Sequence, residues 1–182
     1  MKDEKLILEV EIPKGVSATF SHKMLTIKGP KGEIKREVKQ KLVDTKIEGD
    51  KIIFSSHRNN RTNRKMVGSI AAHARNMVRG SQNPHVYTLK ICSGHFPMTV
   101  AVQGNKLTVK NFLGEKVARV LEIKTGAEVK VNGDHVTVTC ASKDTAGQVA
   151  ADIEQLIRRP GFDSRVFQDG IYIINKDGED LK

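Results

Sequence analysis

Lys23-Met-Leu-Thr-Ile-Lys-Gly-Pro-Lys-Gly-Glu33 reads against Asn105-Lys-Leu-Thr-Val-Lys-Asn-Phe-Leu-Gly-Glu115 further along this 182-residue chain. Each stretch is an alternating apolar and polar strand, a tight Gly-containing turn and the start of another alternating strand, which is the pattern of a β-hairpin. The neighbouring features recur in the same order. Upstream, Ile12-Pro-Lys-Gly-Val corresponds to Phe96-Pro-Met-Thr-Val, each opening a strand after a proline. Downstream, Glu48-Gly-Asp-Lys-Ile-Ile-Phe54 corresponds to Asn132-Gly-Asp-His-Val-Thr-Val138, with Gly-Asp as the turn, and Gly68-Ser-Ile-Ala-Ala72 to Gly147-Gln-Val-Ala-Ala151 on a helix. A constant order of elements with a slightly drifting offset is the mark of an internal duplication.

A repeat of this length is too long for a solenoid unit and long enough for a separately packed domain. The expected fold class is therefore α+β: two tandem duplicated domains, each an antiparallel-rich β-sheet packed with one main α-helix. The first domain is expected over 1–80, with its helix at about 60–79. The second is expected over 81–182, with its helix at about 143–158 and a C-terminal strand carrying Arg165-Val-Phe-Gln-Asp-Gly-Ile-Tyr-Ile. Gly80-Ser-Gln-Asn-Pro84 has the composition of the connection between them.

Charge is the second informative feature. The formal net charge is +10, and it is unevenly placed: residues 1–80 hold 18 Lys and Arg against 9 Asp and Glu, whereas 81–182 hold 13 against 12. No acid occurs from 51 to 114, a run that contains ten Lys or Arg. A surface without an anionic partner normally mixes its signs, so this run points to nucleic acid. Aromatic residues are only 4% and Trp is absent, which argues against stacking platforms for single strands and for contacts to phosphate and shape.

The two helices divide the work. In the first, Val67, Ile70, Ala71, Ala74, Met77 and Val78 form the core-facing stripe, while Arg61, Lys65, Arg75 and Arg79 fall together on the opposite face. Arg58 and Arg64 flank this ridge, and Gly68 and Ala72 leave room within it for a backbone to approach. The second helix keeps the apolar stripe, with Ala146, Val149, Ala150, Ile153, Leu156 and Ile157, but exposes Asp144, Asp152, Glu154 and Gln155. Its basic groups, Arg158, Arg159 and Arg165, cluster beyond its C-terminal end, where they also complement the helix dipole.

Several chemistries are excluded or disfavoured. Gly29-Pro-Lys-Gly32 lacks the spacing of a nucleotide-binding loop. Six scattered histidines and two distant cysteines, Cys92 and Cys140, show no metal-binding or disulfide pattern. Cys92 and His95, the one nearby nucleophile and base pairing, lie three residues apart and so on opposite faces of an alternating strand. No enzyme activity, cofactor or metal is expected. No stretch is apolar enough to span a membrane, and the start, Met1-Lys-Asp-Glu-Lys-Leu-Ile-Leu-Glu-Val10, lacks a signal peptide's apolar core, so a cytoplasmic protein is expected.

Arg165-Val-Phe-Gln-Asp-Gly-Ile-Tyr-Ile-Ile-Asn-Lys176 resembles the C-terminal signature of archaeal and eukaryotic members of the ribosomal protein L six family. His95-Phe-Pro and Asn111-Phe-Leu-Gly-Glu-Lys116 resemble that family's second-domain strand and hairpin. Arg58-Asn-Asn-Arg and Asn76-Met-Val resemble its first-domain helix. The resemblance implies a structural component of the large ribosomal subunit near the stalk base and sarcin-ricin region, with large-subunit rRNA and neighbouring ribosomal proteins as partners. It also implies that the second domain supplies the main RNA contacts, here Lys110, Asn111, Lys116, Lys143, Arg158, Arg159, Arg165 and Gln168. The charge count instead favours the first domain, through Arg58, Arg61, Arg64, Lys65, Arg75 and Arg79. Pro160-Gly-Phe-Asp-Ser164 departs from the more basic approach to the signature that the family leads one to expect.

Overall fold

A computed structural model describes residues 6–39, 42–163 and 165–181. Met1–Lys5, part of the start read above for the lack of an apolar core, and Ser164, in the run before the signature, lie outside the described residues. The chain divides into two compact units, one ending at Pro84 and the other starting at His85.

The first unit contains β1 (Leu6–Glu11), β2 (Ser17–Ser21), β3 (Met24–Gly29), β4 (Gly32–Glu37), β5 (Asp44–Glu48), β6 (Lys51–Ser56) and α1 (Arg61–Gln82). Its strands form two sheets, ordered β1-β6-β5 and β2-β3-β4. The second unit contains β7 (His85–Cys92), β8 (Thr99–Gln103), β9 (Lys106–Lys110), β10 (Arg119–Glu122), β11 (Ala127–Asn132), β12 (His135–Cys140), α2 (Lys143–Leu156), β13 (Gly170–Lys176) and β14 (Glu179–Asp180). Here the sheets are β10-β9-β8 and β11-β12-β7-β13-β14. Deleting β13 and β14 leaves the same two sheets in the same orders as in the first unit. The duplication thus extends to strand pairing, with the strands of each copy divided between two sheets instead of lying in one.

A helix holds each pair of sheets together. α1 packs on β1 and β6 of one sheet and on β3 and β4 of the other. Its stripe of Val67, Ile70, Ala71, Ala74, Met77 and Val78 is buried with Leu25, Ile27, Ile52 and Phe54. α2 does the same in the second unit, placing Ala146, Val149, Ala150 and Ile153 into a core with Leu89, Leu107, Val136, Val138 and Ile171.

Four expectations need correction. The connection is shorter than the run from Gly80 to Pro84, because α1 continues through Ser81 to Gln82 and the units divide after Pro84. Ser81 is fully buried, its carbonyl accepts the Lys31 N–H, and a Cβ at Gly29 would lie 2.7 Å from that same carbonyl. The β3–β4 turn therefore docks onto the last helical turn, and only Asn83 and Pro84 separate α1 from β7. Second, Ile12 corresponds to Ile91 and not to Phe96. The Ile12 N–H donates to the Asp50 carbonyl and the Ile91 N–H to that of Asp134, each acceptor being the aspartate of its Gly-Asp turn. The additional residues after Ile91 form a loop that the first copy lacks.

Third, the turn after β9 is wide. Asn111 and Leu113 adopt left-handed backbone angles, a single 3-10 turn spans Phe112–Gly114, and buried Phe112 lies beneath the Arg119 guanidinium, 4.7 Å away. Fourth, Val166 and Phe167 precede β13, which begins only at Gly170. Between α2 and β13 the chain is a loop fastened by Asp169, whose carboxylate accepts the backbone N–H groups of Gly94 (2.6 Å) and His95 (3.0 Å) and pairs with the His95 ring. Burial alone raises the Asp169 carboxyl, but the backbone and ring bonds from His95, with that from Gly94, outweigh it and hold the group below its ordinary value.

Two stability measurements follow. Gly29→Ala is expected to cost about 1–3 kcal/mol in urea unfolding, because the added methyl meets helix backbone that cannot swing aside. Asp169 has a depressed folded pKa, so its contribution is complete above the unfolded value of about 3.9 and is lost as pH falls through the folded value. Asp169→Asn should therefore lower the thermal midpoint at neutral pH, with the gap to the unmodified protein closing below about pH 4.

Candidate nucleic-acid interface

The ridge on the first unit is built by local hydrogen bonding at its start. Asn60 caps α1 through its side chain, which accepts the Asn63 N–H at 2.7 Å. Buried Asn63 in turn donates to Ser56 Oγ and to the Arg58 carbonyl, and Arg64 Nε donates to Asn59 Oδ1. These bonds fix the loop that carries Arg58. All six first-unit candidates, Arg58, Arg61, Arg64, Lys65, Arg75 and Arg79, are exposed. From Arg61 to Arg79 the ridge is about 27 Å long at 1.5 Å per residue. A Cβ at Gly68 would meet nothing, and Ala72 is exposed, so the middle of the ridge is shallow.

Electrostatically this helix start is unfavourable by itself. The first turn contains no acid, and Arg61, Arg64 and Lys65 gather at the end where the helix dipole is positive. Like charge there is destabilising, and an anion relieves it.

The second unit assembles most of its candidates at one end. Arg119 links two of the elements: its guanidinium grips Glu115 through two bonds, of 2.8 and 2.7 Å, and donates to the Leu156 carbonyl at the end of α2. The side-chain hydrogen bonding from Arg119, with the charges of Arg119 and Arg159, lowers the Glu115 carboxyl against a smaller opposing effect of burial. Asn111 Nδ2 donates to the Pro97 carbonyl, joining the wide turn to the inserted loop. From that loop the chain of contacts runs through the His95 ring to Phe167, from Phe167 edge-on to Phe162, and from Phe162 to the Arg159 guanidinium 4.3 Å above its ring. Lys110, Asn111, Lys116, Arg158, Arg159, Arg165 and Gln168 are all exposed on these connected segments.

Lys143 stands apart. It opens α2 at the end opposite Arg158, and its Nζ lies 3.5 Å from the Asp177 carboxylate, which also pairs with the fully buried His85 ring at 2.9 Å. Arg165 is also engaged: it holds Asp163 through Nε–Oδ1 and Nη2–Oδ2 bonds of 3.1 and 2.9 Å. Phe167 is half-buried between His95 and Phe162 and serves as part of the support.

Sequence reasoning missed the residues that assemble this end: Asp169, Arg119, Glu115 and the His95 ring. Only the Glu115 and Arg119 spacing offered a local signal, because the Asp169 bonds span 74 and 75 residues. Among the described residues no group of His, Cys, Asp and Glu is arranged to hold a metal, and no helix is long and apolar enough to cross a membrane.

Comparison with known proteins agrees with the duplication. The ribosomal protein L6 family matches residues 12–83 and again 96–170, once per copy. Large ribosomal subunit protein uL6 of Methanocella arvoryzae is 42% identical over 171 residues, covering 93% of this chain and 97% of that protein. The uL6 proteins of Halobacterium salinarum (40% identical; 93% and 95% covered) and Methanococcus vannielii (39%; 95% and 95%) are similar over the same extent. With both copies matched and nearly the whole chain covered, the chain belongs to the ribosomal protein L6 family.

Proposed function

We propose that this chain is a non-catalytic constituent of the large ribosomal subunit, acting in the cytoplasm, whose second unit binds large-subunit rRNA near the stalk base and sarcin-ricin region. The observation that carries the RNA-binding assignment is the end of the second unit, where Asp169 and Arg119 lock three chain segments together. Those segments present Lys110, Asn111, Lys116, Arg158, Arg159, Arg165 and Gln168. A surface whose supports are hydrogen-bonded to one another suits A-form RNA, which offers phosphates and 2′-hydroxyls at fixed spacing across a shallow groove. The names of the relatives support the ribosomal setting, and neighbouring ribosomal proteins are the expected protein partners.

The α1 ridge is the second RNA surface in this reading. Its charge gives contacts that depend on salt and not on sequence, each neutralised phosphate adding a log–log slope of roughly −0.9 with duplex nucleic acid. Lys143, beside Asp177 and apart from the other candidates, is a separate RNA contact in this reading.

The chain should cosediment with the large subunit at physiological salt and dissociate at high salt. Arg159→Ala with Arg165→Ala should reduce incorporation more than Arg75→Glu with Arg79→Glu; recovery only in the soluble fraction would refute the ribosomal assignment. A finer test uses the bidentate pair. Asp163→Asn removes the carboxylate that occupies Arg165 and should tighten binding to large-subunit rRNA fragments severalfold in a filter or fluorescence assay, while Arg165→Ala weakens it.

A further inference from the structure

Comparing the two copies exposes a vacancy in the first. β7 is flanked by β12 on one side and β13 on the other, and α2 packs on β13 as well. Its counterpart β1 is flanked by β6 alone among the described residues. The matching registers make the correspondence residue by residue: Val10 pairs with Ile52 as Leu89 pairs with Val136, and Leu8 with Phe54 as Tyr87 with Val138. Tyr87 is 7% exposed, whereas its counterpart Leu8 is 36% exposed.

The open edge has its hydrogen-bonding groups in place. Ile12 directs its N–H toward the β6 side, so alternation directs those of Leu6, Leu8 and Val10 the same way and leaves Ile7, Glu9 and Glu11 facing outward. Beside this edge is a groove lined by Glu9, Val10, Glu11, Arg75, Val78 and Arg79, on the side of β1 that β13 occupies on β7 in the second copy.

We infer that the outer edge of β1 and the groove beside it receive an extended segment of a neighbouring protein, which completes the first unit's sheet as β13 completes the second's. The chemistry of the groove specifies that segment. An apolar residue opposite Val10 packs toward Val78 as Ile173, opposite Leu89, packs in the second copy. Basic residues on the face turned away from the helix meet Glu9 and Glu11, while Arg75 and Arg79 stay with the ridge described above. The two carboxylates on the edge disfavour a phosphate backbone as occupant. Strand addition supplies affinity through the main chain and selectivity through the alternating side chains.

The inference rests on the ribosomal assignment for the identity of the neighbours, and the experiment separates the two. The full chain carrying Ile7→p-benzoylphenylalanine is assembled into large subunits, incorporation is scored by cosedimentation, and the particles are irradiated. The expected product is a crosslink to one segment of a ribosomal protein. A synthetic peptide of that segment should bind the full chain and slow amide exchange at Ile7, Glu9 and Glu11. Ile7→Pro, which removes an outward N–H but no bond to β6, should weaken that binding at least tenfold with an unchanged thermal midpoint. A chain that incorporates but crosslinks only to RNA, or to nothing, overturns the strand slot alone. A chain that does not cosediment overturns the ribosomal assignment and this inference with it.

Discussion

Each half of this protein depends on one helix burying its apolar face against two sheets at once. A three-stranded sheet has no second layer of its own and needs an apolar face to pack against. α1 and α2 provide that layer. The residues on these stripes and beneath them, including Val67, Ala74, Ile52 and Phe54 in one copy and Ala150, Ile153, Leu89 and Val136 in the other, are among the least accessible in the chain. Once the inner stripe is committed to packing, the outer stripe is available for variation, and the copies have varied it in opposite directions, basic on α1 and acidic on α2.

The same logic explains how the second copy acquired a more elaborate surface without losing its fold. Its additional features lie outside the helix and sheet contacts: the inserted loop after Ile91, the wide turn after β9, and the loop between α2 and β13. Loops carry unpaired backbone groups and must be tied down if they are to present side chains at fixed positions. Asp169 and Arg119 do this with charge-assisted bonds to backbone, a device that needs two residues and leaves the core unchanged.

The duplication, the element order and both core stripes were legible in the sequence because periodicity and turn chemistry are local. The Gly-Asp turns were read correctly for the same reason: Gly49 and Gly133 adopt nearly equal left-handed angles, 56° and 57°. What escaped was non-local. Gly80 and Ser81 look like a connection until the β3–β4 turn is seen to dock on them, and nothing near Asp169 announces that its partners are Gly94 and His95. The matching of Ile12 with Phe96 failed because Pro13 and Pro97 align well while an insertion separates the strand residues before them. Lys143 was nominated by its place at a helix start and by family position, with no local sign that Asp177 lies beside it.

The carboxylates on β1 have one more consequence. A strand edge with unpaired main-chain groups is an aggregation hazard in any protein made in quantity before its partners arrive, and such edges are commonly protected by charge. If two copies paired through β1, Glu9 and Glu11 of both would crowd onto one face of the joined ladder, where Lys51 already neutralises Glu9 within each copy. Self-association is thereby disfavoured while a basic strand remains welcome, so the newly made chain can stay monomeric with its edge uncovered.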